Sequence, residues 1–149
     1  SDPNQTRVTI SNLPNDTKVL SGIFVDLADN NVNIDMISTV NDNGHSHLTF
    51  TFISGNFDAV RSTVENTLTG IEGWKFSTDE NVVKISVIGV GMQSTTGVAG
   101  RFFSALSGSG IKLLGTTTSE IKISALVHIT EAAQAMEALA EEFDLLREE

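Results

Sequence analysis

Cysteine is absent from the 149 residues, which excludes a disulfide framework, thiol catalysis and cysteine-ligated metals. Basic residues are scarce: nine Lys and Arg stand singly against 19 Asp and Glu, for a net charge of −10. Nucleic-acid affinity comes largely from Lys and Arg, so this balance argues against a phosphate backbone as partner. Tyrosine is missing too, and an RNA-binding sheet needs exposed aromatics as well as positive charge. No apolar run approaches membrane-spanning length, and the opening SDPNQTR has neither a charged n-region nor an apolar h-region. The expectation is a cytoplasmic chain with no membrane or nucleic-acid partner, in which the sequons at Asn4 and Asn15 are chance matches.

With 40% hydrophobic residues, the chain is long enough for one ordinary domain or two very small ones. An internal repeat favours two. Val19, Leu20, Ile23, Phe24 and Leu27 form the stripe of one helix face. Val98, Ala99, Phe102, Phe103 and Leu106 repeat it, each 79 residues later. The offset continues: Val32 matches Ile111, Ile34 matches Leu113, and Thr39 matches Thr118. Beyond that point the first copy has extra residues, NDNGHS, before the strands resume as HLTFTF and IKISALV.

Each copy reads in one order. In the first, Arg7–Ser11 is a strand, Asn15–Asn30 a loop and helix, and Val32–Thr39 a second strand. Asn43-Gly44 marks a hairpin, because both residues tolerate positive φ. Leu48, Phe50 and Phe52 alternate with His47, Thr49 and Thr51 as a half-buried third strand. Phe57, Val60, Val64 and Leu68 line a second helix, and Trp74–Thr78 is a fourth strand. The second copy runs Val82–Val90, a helix from Gly97, Ile111–Thr117, Ile121–Val127, and a helix marked by Ala132, Met136, Leu139, Ala140 and Phe143. The fold class is therefore α+β: two ferredoxin-like βαββαβ modules over residues 1–80 and 81–149, antiparallel sheets with helices on one face, the second module lacking its last strand. An exposed sheet edge seldom goes uncovered, so that strand is expected from a segment preceding residue 1 in a longer protein.

The run GVGMQSTTGVAGRFF (Gly89–Phe103) has the strand–glycine loop–helix order of a phosphate site. It fails both nucleotide patterns: Ser94 stands where a dinucleotide fingerprint needs its third glycine, and Gly97-Val98 where a P-loop needs Gly-Lys. A helix start still offers unpaired N–H groups and a positive dipole end, which suit a small carboxylate; a plain Ser or Thr cap is the other reading. His45 and His47 share a strand face without a nearby third metal ligand, so no metal is expected, and His128 has no evident partner. No catalytic apparatus is visible. Asp35 sits among apolar residues of a strand expected to be mostly buried. It is either a solvent-facing edge residue or a partner for a ligand ammonium, and its counterpart is Leu114.

The segments KISVIGVGMQSTTGVAGRFFSAL and TTTSEIKISALV, supported by NVNIDMIS, resemble the regulatory region of aspartokinases, a pair of amino-acid-binding ACT domains. The resemblance covers about residues 7–143. It implies a chain that is catalytically silent by itself and needs no cofactor. ATP and magnesium would serve only an absent kinase domain that phosphorylates aspartate. It implies a homodimer formed through the ACT modules, coupled to that kinase domain, with lysine, threonine or both as effector. Carried over by position, the effector contacts are Met92, Gln93, Ser94, Thr96, Gly97 and Val98 in the second-copy loop, with Thr118, Ser119 and Glu120 after its strand. In the first copy they are Asn15, Asp16, Lys18 and Val19, with Asp35 and Thr39 from the strand. The family's Asp-Lys-Pro-Gly is replaced there by Asn15-Asp16-Thr17-Lys18. A module that dimerises the enzyme and binds no effector is the alternative.

Overall fold

In a computed structural model, residues 4–53, 57–88, 95–119 and 121–143 are described. The elements are β1 (Gln5–Pro14), α1 (Thr17–Asp29), β2 (Ile34–Asp42), β3 (His45–Ile53), α2 (Phe57–Thr67), β4 (Lys75–Ile88), α3 (Thr95–Gly108), β5 (Gly115–Thr118), β6 (Lys122–His128) and α4 (Ile129–Phe143). The chain divides into two compact units. One is Gln5–Glu80; the other holds Asn81–Glu149, and Asn4 belongs with it, its Nδ2 donating to Asn81 Oδ1 at 3.1 Å.

In the first unit the strand order is β2-β3-β1-β4, with β3 antiparallel to both β1 and β2. Alternation decides which face is covered. Val8 and Ile10 of β1 and Leu48, Phe50 and Phe52 of β3 are buried with Ile23 and Leu27 of α1 and Val60 and Val64 of α2. Phe24 meets Phe50 edge to face at 5.8 Å between ring centres, a geometry aromatic pairs favour. Asn43 and Gly44 turn the β2–β3 hairpin with φ of 50° and 80°, as the Asn-Gly pair leads one to expect.

In the second unit the order is β4-β6-β5, three strands among the described residues where the first unit has four. Val83, Ile85 and Val87 of β4 and Ile123, Ala125 and Val127 of β6 form its core with Phe102 and Leu106 of α3 and Ala135 and Leu139 of α4. Both units are thus sheets with helices on one face.

The repeat extends to the backbone where each first helix ends. Val32 N donates to Leu27 O and Ile111 N to Leu106 O, both at 3.1 Å; Asn31 N donates to Ala28 O and Gly110 N to Ser107 O, both at 3.0 Å. Asn31 and Gly110 are left-handed, with φ of 58° and 70°. These are matching Schellman caps, and they tuck the apolar residue after each helix, Val32 or Ile111, against its own core.

Several boundaries differ from the sequence reading, among them β2, which runs Ile34–Asp42 in place of Val32–Thr39, and α3, which starts at Thr95 in place of Gly97. β1 starts earlier and runs on to Pro14 through a bulge between Ile10 and Leu13, where Asn12 takes φ 63°. The strands expected at Trp74–Thr78 and Val82–Val90 are one strand, β4, because the polar residues between them alternate and contain no breaker; only Asn81, at φ 59°, interrupts the backbone geometry. The strand expected over Ile111–Thr117 shrinks to Gly115–Thr118, since Ile111 is committed to the cap of α3.

Phe50 is fully buried and Val25 is 54% exposed. Phe50→Ala should cost about 3–5 kcal/mol, whereas Val25→Ala should stay within about 0.5 kcal/mol. Urea titration of both variants checks this, and similar losses in the two would contradict the assigned core.

Candidate functional site: the loops that open each first helix

The loop into α1 is built from its own side chains. Asp16 is the N-cap, in extended conformation, and its carboxylate Oδ1 accepts from Lys18 N at 2.9 Å. Its carbonyl accepts from Val19 N at 3.0 Å and Leu20 N at 3.4 Å. Asp16 N in turn donates to Pro14 O at 2.8 Å, and Asn15 N to Gly44 O at 3.3 Å in the hairpin turn. Ser46, fully buried, lies within hydrogen-bond reach of two side-chain carbonyls, Asn41 Oδ1 at 2.8 Å and Asn15 Oδ1 at 3.4 Å. Asn15, Asp16, Thr17 and Lys18 are exposed, while Val19 is half-buried against the core.

The extra residues of the first copy account for this arrangement. They lengthen the β2–β3 hairpin, and β1 lengthens with it: Leu13 pairs with Ser46 and Pro14 with His45. His47 Nδ1 accepts the backbone N–H of Asn12 at 3.3 Å inside the bulge, and Asn12 Nδ2 donates to Gly73 O at 2.9 Å. His47 therefore has a structural partner, and no group able to hold a metal exists among the described residues.

Strand register separates the first-copy candidates. Ile34 pairs with Phe52, which pairs with Thr6, whereas Asp42 pairs with His45, which pairs with Pro14. Asp35 therefore lies at the opposite end of the sheet from the loop, roughly 20–25 Å away at 3.3 Å per residue. It is exposed at the start of an end strand, not half-buried, and accepts from Gln5 Nε2 at 2.8 Å. Gln5 itself is buried; its part was not legible from sequence, since only the register brings it beside Asp35. Thr39 pairs with Leu48, which pairs with Ile10, so it too stops short of the loop.

In the second copy the strand ends coincide. Ile88, the last described residue of β4, pairs with Lys122; Val87 pairs with Ile123, which pairs with Thr118. Thr118 is thus level with the end of β4, one strand away from it, at roughly 10 Å by interstrand spacing. Ser119 N donates to Lys122 O at 2.7 Å, which holds Thr118 and Ser119 at that end, both exposed. Thr96 and Gly97 are exposed in the first turn of α3, and Val98 is anchored on the core. Met92, Gln93, Ser94 and Glu120 lie outside the described residues. His128 does have a partner: its Nδ1 lies 2.9 Å from Thr130 Oγ1 and accepts from Thr130 N at 3.2 Å, serving the first turn of α4.

A family model for the ACT domain matches residues 85–143. The chain is 35% identical over 141 residues to the aspartokinase of Bacillus sp. (strain MGA3), covering 94% of this chain and 34% of that protein. It spans about a third of the length of the curated relatives it matches. A crystal structure of aspartokinase alpha and beta subunits superposes with a TM-score of 0.86 at 31% identity, over 97% of this chain and 95% of that one. E. coli aspartokinase III, solved in complex with lysine and aspartate in its T-state, shares the fold with a TM-score of 0.70 at 21% identity, over 94% of this chain and 31% of that one.

Replacing Ser46 by Ala removes the hydroxyl that bridges the hairpin and the first loop. A loss of about 1–2 kcal/mol is expected in chemical denaturation; an unchanged midpoint would mean that the hydroxyl carries none of the bracing.

Proposed function

The chain belongs to the aspartokinase family, as the tandem ACT regulatory region, and on that premise we propose that it senses an amino acid and passes the signal to a kinase domain. Lysine, threonine or both are the proposed effectors, and the outcome is feedback inhibition of aspartate phosphorylation. The kinase chemistry, ATP-dependent transfer to the aspartate side-chain carboxylate, is assigned to a domain outside this chain.

The observation that carries the reading is the second copy's geometry. Thr118 and Ser119 end at the same edge as the strand that leads into α3, whose first turn offers Thr96 and Gly97. A helix start with neutral small side chains suits a carboxylate, and hydroxyls across one strand's width suit the remaining polar groups of an amino acid. No acidic residue stands in the first turn of α3, so that turn carries no negative charge of its own.

The mechanism is a shifted equilibrium. An effector that favours one arrangement tenfold supplies about 1.4 kcal/mol of coupling, and moving the population fully requires about 5.5 kcal/mol of differential affinity. A second reading, assembly without a ligand, is favoured by β2, the end strand of its sheet, with Ile37 57% and Val40 60% exposed. An unpaired strand edge with apolar residues is a template for association, so a homodimer is proposed under either reading. A segment preceding residue 1 in a longer protein is proposed to supply the second module's fourth strand. A cytoplasmic setting is part of the proposal; no helix among the described residues is long and apolar enough to cross a membrane.

An effector at 100 times its Kd should stabilise the chain by about 2.7 kcal/mol, seen as a rise in melting temperature with lysine or threonine and none with an unrelated amino acid. Gly97→Val should remove that rise. No rise with either amino acid in the wild type would leave assembly as the supported function.

A further inference from the structure

We propose that Arg101 is a positioning residue: it latches the last turn of α4 to α3, so that a change at the start of α3 is passed to the end of α4. The relay rests on the sensor reading above. The latch stands on side-chain geometry alone.

Three contacts converge on one guanidinium. Arg101 Nε donates to Glu142 Oε2 at 2.7 Å, and Nη2 donates to the backbone carbonyl of Glu142 at 2.6 Å. The same group lies over the ring of Phe143, 4.6 Å from its centre, within the range of a cation–π contact. That ring in turn packs on the module's core. The last carbonyls of a helix have no partner inside it, and a cation at that end is favourable. The last turn of α4 has no basic residue of its own, so α3 supplies one from across the helix pair. A planar fork can serve carboxylate, carbonyl and ring together, which a lysine ammonium cannot. Arg101 also stands one turn after Gly97 on the same face of α3, about 6 Å along the axis. Movement of the first turn therefore reaches the guanidinium through a single turn of helix.

The duplicated helix pair shows that the fold does not itself require this latch. With the offset of 79, Arg101 corresponds to Gly22. Beyond NDNGHS the offset becomes 75: buried Val60 and Val64 correspond to buried Ala135 and Leu139, and so Thr67 corresponds to Glu142. The two pairs match in space as well as in sequence, since a methyl group at Gly22 would lie 3.5 Å from Thr67 Cγ2. There the helices are joined through a hydroxyl, Thr67 Oγ1 donating to Asp26 Oδ2 at 2.6 Å, and position 22 has no arm to reach across. In the second copy the same crossing carries an ion pair whose side chains are 54% and 37% exposed. Such a pair is screened by salt and weak enough to open and close.

The test is amide hydrogen exchange on the whole chain, with the amides of β6 as the control for global stability. Arg101→Ala should speed exchange at Ala140–Phe143 about fivefold, the upper end for an exposed ion pair, and leave β6 unchanged. Raising sodium chloride from about 0.05 to 0.5 M should speed the same amides in the wild type and not in Arg101→Ala. Arg101→Lys should keep the salt dependence and lose most of the protection. Unchanged exchange in Arg101→Ala, or a salt dependence that survives it, would overturn the latch. Lysine or threonine should slow exchange at Ala140–Phe143 in the wild type but not in Arg101→Ala, while raising the melting temperature of both. A raised melting temperature without that slowing in the wild type would overturn the relay. So would slowing that persists in Arg101→Ala, or loss of the melting response there, which would place Arg101 in the binding site. If neither amino acid raises the melting temperature, the sensor reading and the relay fail together, and the salt and exchange data still decide the latch.

Discussion

A helix begins with N–H groups that have no partner inside it, and the first copy of this protein satisfies them from its own chain. In the first copy the group that meets those donors, Asp16, sits between the first strand and the first helix, where a ferredoxin-like module turns from sheet to helix. Supplying the partner from the chain gives a rigid corner. Leaving neutral, small residues around the donors gives a place for an anion. The first copy follows one course, through Asp16. At the positions corresponding to Asn15–Lys18 the second has Ser94, Thr95, Thr96 and Gly97.

The rest of each module serves to hold that corner still. Behind it, the apolar stripe of the helix is pinned on the sheet through Ile23 and Leu27 in one copy and Phe102 and Leu106 in the other. At the far end a Schellman cap fixes where the chain leaves. A sub-ångström change at a well-packed corner cannot be absorbed locally, since close-packed interiors transmit strain. That property is what a regulatory module requires, because a ligand shifts an equilibrium only by its differential affinity for two discrete states.

Much of this was legible in the sequence because it is local. Helix stripes at 3.6-residue spacing and the Asn43-Gly44 turn report their own conformation, and the constant offset between copies needs only counting. What was not legible depends on pairing over long separations. Asp35 reads equally as a solvent-facing edge residue or a ligand partner, and only strand register sets it on an exposed end strand against Gln5. The continuity of β4 escaped because its two halves serve different cores. His128 as a partner of Thr130 was missed since histidine is not a customary capping residue. The bracing of Asn15 by Ser46 joins residues 31 apart, and only the extra hairpin residues hinted that the two loops would differ.

The most direct measurement is effector binding by isothermal titration calorimetry on the chain. With lysine or threonine, the account predicts saturable binding of the amino acid by the chain. No binding of either would contradict the sensor function itself.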